Sequence, residues 1–149
     1  MVRGGVLAKQ PPPASLTHQL YSLEVHRLNG GAQKRPGLDA LIEGLCGRIA
    51  REAVWDFRVT DLYIQRAAFL AGAGCGSMVK PRWVERILDK QEDDGGWTHS
   101  WHGWGSRVFS FNRNRERSDS HATVQAMWLL YQLKYRYAGW IDRAYPASP

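Results

Sequence analysis

The residues best suited to chemistry in this 149-residue chain are five histidines, His18, His26, His99, His102 and His121. His99 and His102 stand three apart in Trp97-Thr98-His99-Ser100-Trp101-His102-Gly103-Trp104. Two imidazoles at that spacing reach one zinc ion from a single helical turn, and Cys75 offers a thiolate as a further ligand. The plainer reading is an aromatic turn that packs Trp97, Trp101 and Trp104 onto the domain, since no complete ligand set is visible. His18 and His121 fall in the first turns of the first and last predicted helices. A neutral imidazole there serves as a general base or a metal ligand. A capping or core histidine is the structural alternative.

Aromatic and acidic residues give a second kind of site. Trp97, Trp101 and Trp104, with Asp94 beside them, are candidate substrate contacts, because exposed indoles stack on sugars or shield cationic intermediates. Glu85, Asp89, Glu92, Asp93, Asp94 and Asp119 could supply the paired carboxylates of a glycosidase. Which two would stand ~5–10 Å apart across a sugar is not written in the sequence. Asp93-Asp94 also reads simply as acid at a solvated turn.

The elements that must position these groups are helices. Residues 1–14 read as a leader closed by Pro11-Pro12-Pro13. Ser15 is suited to cap a first helix carrying Leu16, Leu20, Leu23 and Leu28, which Asn29-Gly30-Gly31 stops. Leu38, Leu41, Ile42, Leu45, Ile49 and Ala53 repeat at three and four residues and predict a second helix over 38–55. Gly44 and Gly47 inside it suggest the close approach of another helix. Thr60 or Asp61 caps a third helix, and Gly72, Gly74 and Gly76 are expected to end it in a flexible turn. That glycine run follows a helix rather than a strand, so it does not fit a phosphate loop. Pro81 opens a fourth helix with Trp83, Val84, Ile87 and Leu88, closed by Gln91. Residues 92–117 form a long loop, of a length that is unusual unless it has a function. Ser118, Asp119 or Ser120 caps a last helix that is apolar nearly all round, from Ala122 to Leu133, as a buried helix is. Ala138-Gly139 stops it, and 139–149 is a tail. No stretch alternates with the period of a strand. The reading is an all-α domain over 15–138, built of antiparallel helical hairpins.

The most informative stretch is Gln91-Glu92-Asp93-Asp94-Gly95-Gly96-Trp97. A helix ends, its glutamine amide reaches exposed backbone groups, two glycines turn the chain, and Trp97 folds back. This spacing resembles the glutamine–tryptophan repeat of squalene cyclases and similar turns in protein prenyltransferases. The resemblance implies a partial α/α-toroid-like architecture in which the motif ties neighbouring helices together without taking part in catalysis. The aspartate cluster of the squalene cyclase site is absent. His102-Gly103 with glycine-flanked cysteines is also faintly similar to lanthipeptide cyclases, which are toroids that use zinc, although the cysteine arrangement differs. A broader resemblance runs from about Ser15 to Tyr137. It rests on Ser15-Leu16-Thr17-His18-Gln19-Leu20, on Asp61 to Phe69, on Arg82-Trp83-Val84-Glu85-Arg86-Ile87-Leu88 and on Ser120-His121-Ala122-Thr123. These patches look like the C-terminal half of a family known mainly from secreted vertebrate proteins noted for thyroid expression, with microbial relatives. Its members are about twice this length and have no assigned activity, so the resemblance implies a half-length scaffold.

Composition narrows the partners. The hydrophobic fraction of 44% supports a folded core, and 7 Trp, 6 Tyr and 4 Phe supply much of it. The net charge of +6 permits an anionic partner. Arg107, Arg113, Arg115 and Arg117 are clustered, but no nucleic-acid motif accompanies them, and a solvated loop is the simpler reading. No run nears the ~20 apolar residues of a membrane span. The start shows no secretory signal, so as written the chain reads as cytoplasmic, and as secreted if its N-terminus is incomplete. Cys46 and Cys75 are far apart in sequence and are expected to be separate buried thiols. Two functions follow. One is a scaffold or binding module that needs no cofactor and self-associates, since half a toroid leaves an apolar face. The other is a toroid-type hydrolase, lyase or cyclase acting on a glycan or terpenoid through His18 and His121, with zinc as its cofactor.

Overall fold

A computed structural model of the chain describes residues 13–31, 36–98, 118–137 and 139–146. The described residues are mostly helical, with no strand among them. The helices are α1 (Pro13–His26), α2 (Leu38–Trp55), α3 (Asp61–Gly72), α4 (Pro81–Leu88), α5 (Ser120–Tyr131) and the short α6 (Trp140–Ala144). A 3-10 turn, Gly76–Met78, precedes α4, and α5 widens into a π-turn over Gln132–Arg136. The bounds of α2 are those its periodicity predicts. α1 begins at Pro13, two residues before the expected cap, and α4 ends at Leu88, ahead of Gln91.

Contacts fix the helix directions. Thr17 of α1 meets Gln65 of α3, and one turn further Tyr21 stacks on Phe69, so α1 and α3 run parallel. His121 of α5 meets Asp61 at the start of α3, and Trp128 packs edge-on against Phe69 near its end, so α3 and α5 are parallel too. α2 runs the other way. Its C-terminal Glu52 and the following Asp56 hold Arg66, while Cys46, nearer its start, reaches Cys75 beyond the end of α3. Arg86 near the end of α4 comes up against Tyr63 near the start of α3, which makes α3 and α4 antiparallel. Two antiparallel hairpins, α1/α2 and α3/α4, therefore stand beside α5, with α1, α3 and α5 pointing the same way.

α3 is the centre of this arrangement. Residues 63–68 are all buried, including Gln65 and Arg66. Ala67, Ala68 and Ala71 keep its surface narrow enough for neighbours on every side. Both polar side chains find partners nearby: Thr17 Oγ1 donates to Gln65 Oε1 at 2.7 Å, and the two Nη atoms of Arg66 donate to Asp56 and Glu52, while its Nε–H is left without an acceptor. Polar groups so buried cost little because their partners are built in.

Three expectations change. Cys46 and Cys75 are not separate thiols but form a disulfide, with Cα atoms 6.4 Å apart. Antiparallel packing brings the middle of α2 beside the turn after α3, a proximity that sequence spacing hides. Gly44 and Gly47 do not mark close contacts, since an added Cβ at either would meet nothing within 4 Å. The close approaches occur instead in the glycine run after α3. A Cβ at Gly72 would lie 2.5 Å from the Trp128 ring, and one at Gly76 would collide with the Tyr137 ring. That run is a packing surface, anchored further by Tyr137 and Arg136 donating to the carbonyls of Ala71 and Gly72. Finally, α5 is not buried all round. Val124, Met127, Tyr131 and Tyr135 are exposed along one side of it and its π-turn.

Candidate functional site

The Gln91–Trp97 segment forms a clamp between α4 and α5. The Gln91 amide donates to the Gly95 carbonyl at 2.7 Å, inside the turn, and Glu92 N–H closes it onto Gly96 O at 2.8 Å. Gly95 takes φ 86°, a left-handed conformation that glycine adopts without strain. The Trp97 indole N–H donates to the Ile87 carbonyl at 2.6 Å, adding to the Lys90 N–H that this carbonyl accepts at the end of α4. Trp97 N–H donates to Thr123 Oγ1, and Asp119 N–H donates to Trp97 O at 2.8 Å. Asp119 then caps α5 by accepting from Ala122 N–H at 2.9 Å. Trp97 is 3% exposed. It is a core side chain and not the open stacking platform expected from its sequence, because its ring is needed to close the end of α4.

Asp94 belongs to the same clamp. It accepts from Gly96 N–H at 3.1 Å and from the Ser118 hydroxyl at 2.9 Å. The Gly96 hydrogen bond first, then the Ser118 hydroxyl, hold its carboxyl below the usual carboxylate range. The side chain is exposed, yet its acceptors are occupied in joining residue 94 to residue 118.

His121 has ordered partners. Its Nδ1 lies 3.0 Å from an Asp61 oxygen, and its Nε2 lies 3.0 Å from the Gln125 amide nitrogen. The Gln125 contact is a hydrogen bond whose direction depends on the tautomer, whereas Asp61 Oδ1 lies close to Nδ1 without a hydrogen-bond partner. An acid, an imidazole and an amide thus stand in a row across the starts of α3 and α5. A general base needs its imidazole hydrogen-bonded to an orienting carboxylate, and Asp61 is near enough for this but is not aligned for it. Here the base nitrogen is occupied by Gln125, and the His121 side chain is 63% exposed. His18 is exposed on α1 and is not among the hydrogen-bond partners of His121.

Trp101, Trp104, His99, His102 and the Arg107–Arg117 cluster lie outside the described residues. Among the described residues, no group of three or more His, Cys, Asp or Glu side chains is placed to hold a metal. Cys75 is tied up in its disulfide and is no thiolate ligand. No described helix is long and apolar enough to cross a membrane.

The structure also shows a cleft away from the histidines. It has a volume of about 630 Å3, opens at the C-terminal end of α2, and is lined by Arg51, Glu52, Trp55, Asp56, Phe57, Arg58 and Arg66. α2 stops at Trp55, and Asp56 is extended, which throws Trp55 and Phe57 outward on either side of it. Asp56 is gripped by Arg66 Nη1 at 2.7 Å and by the Arg58 main chain and Nε at 3.1 and 3.3 Å. Burial pushes its carboxyl up, but the Arg66 and Arg58 hydrogen bonds outweigh this and leave it below the usual carboxylate range. The signal in the sequence was Trp55-Asp56-Phe57-Arg58, two aromatics and a cation set directly after a helix end. No family model, curated protein or solved structure matches this chain.

Proposed function

We propose that the protein is a non-catalytic scaffold, a toroid-like arc of helical hairpins completed by a second copy of itself. The observation that carries this reading is the exposed stripe Val124, Met127, Tyr131 and Tyr135, spaced to fall on one side of α5 and its π-turn. A monomer rarely leaves so regular an apolar strip in water unless it binds something. At the other edge, α1 exposes Tyr21, Val25 and Leu28 at a spacing of four and three. Both edges belong to helices parallel to α3. The α1 of a second copy set against α5 therefore continues the same series, and a two-fold pair closes it through two such contacts. The likeness to the C-terminal half of a family about twice as long supports the same assembly. The Gln91–Trp97 clamp, which ties α4 to α5, supports this reading. Size-exclusion chromatography with light scattering should give twice the 16.9 kDa chain mass. Met127→Glu with Tyr131→Glu should return it to the monomer. A wild-type protein that stays monomeric at high micromolar concentration would sink the proposal.

The disulfide supports an oxidising location, such as the secreted one, over the cytoplasm. A toroid-type enzyme is the second reading, favoured by the Asp61–His121 contact. It requires Gln125 to swing away from Nε2 and substrate to be held against an exposed imidazole. Stoichiometric zinc in the purified protein would favour it over the scaffold.

A further inference from the structure

We infer that the cleft at the end of α2 is a binding site for an acidic saccharide. Its walls are aromatic. Trp55 is 85% exposed and Phe57 is 70% exposed. Leaving a ring as large as Trp55 so exposed forgoes the burial that usually accounts for aromatic side chains, and it lines one concavity with Phe57. About 630 Å3 lies within the ~300–1,000 Å3 of small-molecule sites.

The polar groups select the ligand. Arg66 is 4% exposed, and its Nη atoms are held by Asp56 and Glu52, but its Nε–H is buried without an acceptor. A buried donor without a partner is costly, and this one belongs to a side chain that lines the cleft. An incoming oxygen would satisfy it. Arg51 stands one turn before Trp55 on the same side of α2 and pairs with no acid among the described residues. Asp56 is already matched by Arg66 and Arg58, so Arg51 is left as the cation for a ligand carboxylate.

Acceptors complete the set. Glu52 is partly exposed, and the last carbonyls of α2 face this end of the helix. Hydroxyl groups can donate to these. A compact anion such as sulfate or phosphate gains nothing from them and meets the negative end of the helix dipole. A sugar with a carboxylate uses every feature: its apolar faces stack on the rings, its hydroxyls donate to carbonyls and Glu52, and its acid group meets Arg51.

Isothermal titration calorimetry on the full chain tests this with trigalacturonate, the neutral maltotriose and inorganic sulfate. Trigalacturonate should bind, maltotriose at least tenfold more weakly, and sulfate not measurably. Trp55→Ala should weaken trigalacturonate at least tenfold. Arg51→Gln should bring it down to the level of maltotriose. Both side chains are exposed, so neither change should move the melting temperature. Failure of trigalacturonate to bind overturns the inference, as does sulfate binding equally well or Trp55→Ala leaving affinity intact. Loss of the dimer in Trp55→Ala, with no saccharide bound by the wild type, would make the cleft a protein contact and overturn it as well.

Discussion

α3 and α5 pack against each other along their length, yet they are buried in opposite ways. α3 carries Gln65 and Arg66 in its middle and is enclosed on all sides. α5 is the more apolar by sequence, and it leaves Val124, Met127 and Tyr131 in solvent. What separates them is the supply of neighbours. Alanines and a terminal glycine let α1, α2 and α5 close on α3, while Thr17, Glu52 and Asp56 meet its polar groups. α5 packs chiefly on α3, with the Gln91–Trp97 clamp at its start. Apolarity measures how much a helix gains from a neighbour, and it does not say that the same chain provides one.

Paired substitutions give the strongest test of this difference. Leu70 on α3 is 0% exposed, and its truncation to alanine should cost about 3–5 kcal/mol, the upper part of the range for buried leucines. Met127→Ser on α5 should change the stability of the monomer by no more than about 0.5 kcal/mol while weakening self-association. Urea unfolding followed by circular dichroism, at a concentration where the chain is monomeric, separates the two. A large loss in Met127→Ser under those conditions would mean that α5 is buried by its own chain, and the contrast would fail.

The disulfide tests how firmly α3 is enclosed. Cys46 and Cys75 are 29 residues apart and join α2 to the turn after α3. A loop of that length implies about 3–4 kcal/mol of stabilisation in the chain-entropy account. Cys46→Ser should lower stability by that order, and reduction of the wild type should match it. Equal melting of oxidised and reduced protein would show that packing alone closes α2 over α3.

Much of this architecture was legible. Period-three-and-four leucines and isoleucines place α2, Asp119 is a recognisable cap, and Gln91 to Trp97 announces a helix-end clamp. Each of these signals is local, with cause and effect a few residues apart. The rest depends on which elements meet. Nothing near Cys46 points to Cys75, because their proximity comes from antiparallel helices. Gly72 and Gly76 read as a flexible turn until the rings of Trp128 and Tyr137 arrive from more than fifty residues away. His121, a candidate general base from its place in a helix's first turn, lies beside Asp61, a neighbour that comes from α3 and α5 packing side by side and that no local pattern announces. The Trp55–Arg58 cleft is only half local, because Arg66 comes to it from α3 and its concavity exists only once α2 and α3 have packed.

The smallest effect concerns the ion pairs that make α3's polar centre tolerable. Asp56 is raised by burial but lowered further by Arg66 and Arg58, and its net value lies below the ordinary 3.8. A carboxylate held low in the fold adds stability above its unfolded value and loses it as pH falls through the folded one. The melting temperature of the wild type should therefore exceed that of Asp56→Asn at neutral pH. The gap should narrow below about pH 4 and close in stronger acid. If it persists undiminished at the acid end, Asp56 holds Arg66 by shape and hydrogen bonding without its charge. The burial of α3 would then rest on packing alone, as the exposed face of α5 rests on the lack of it.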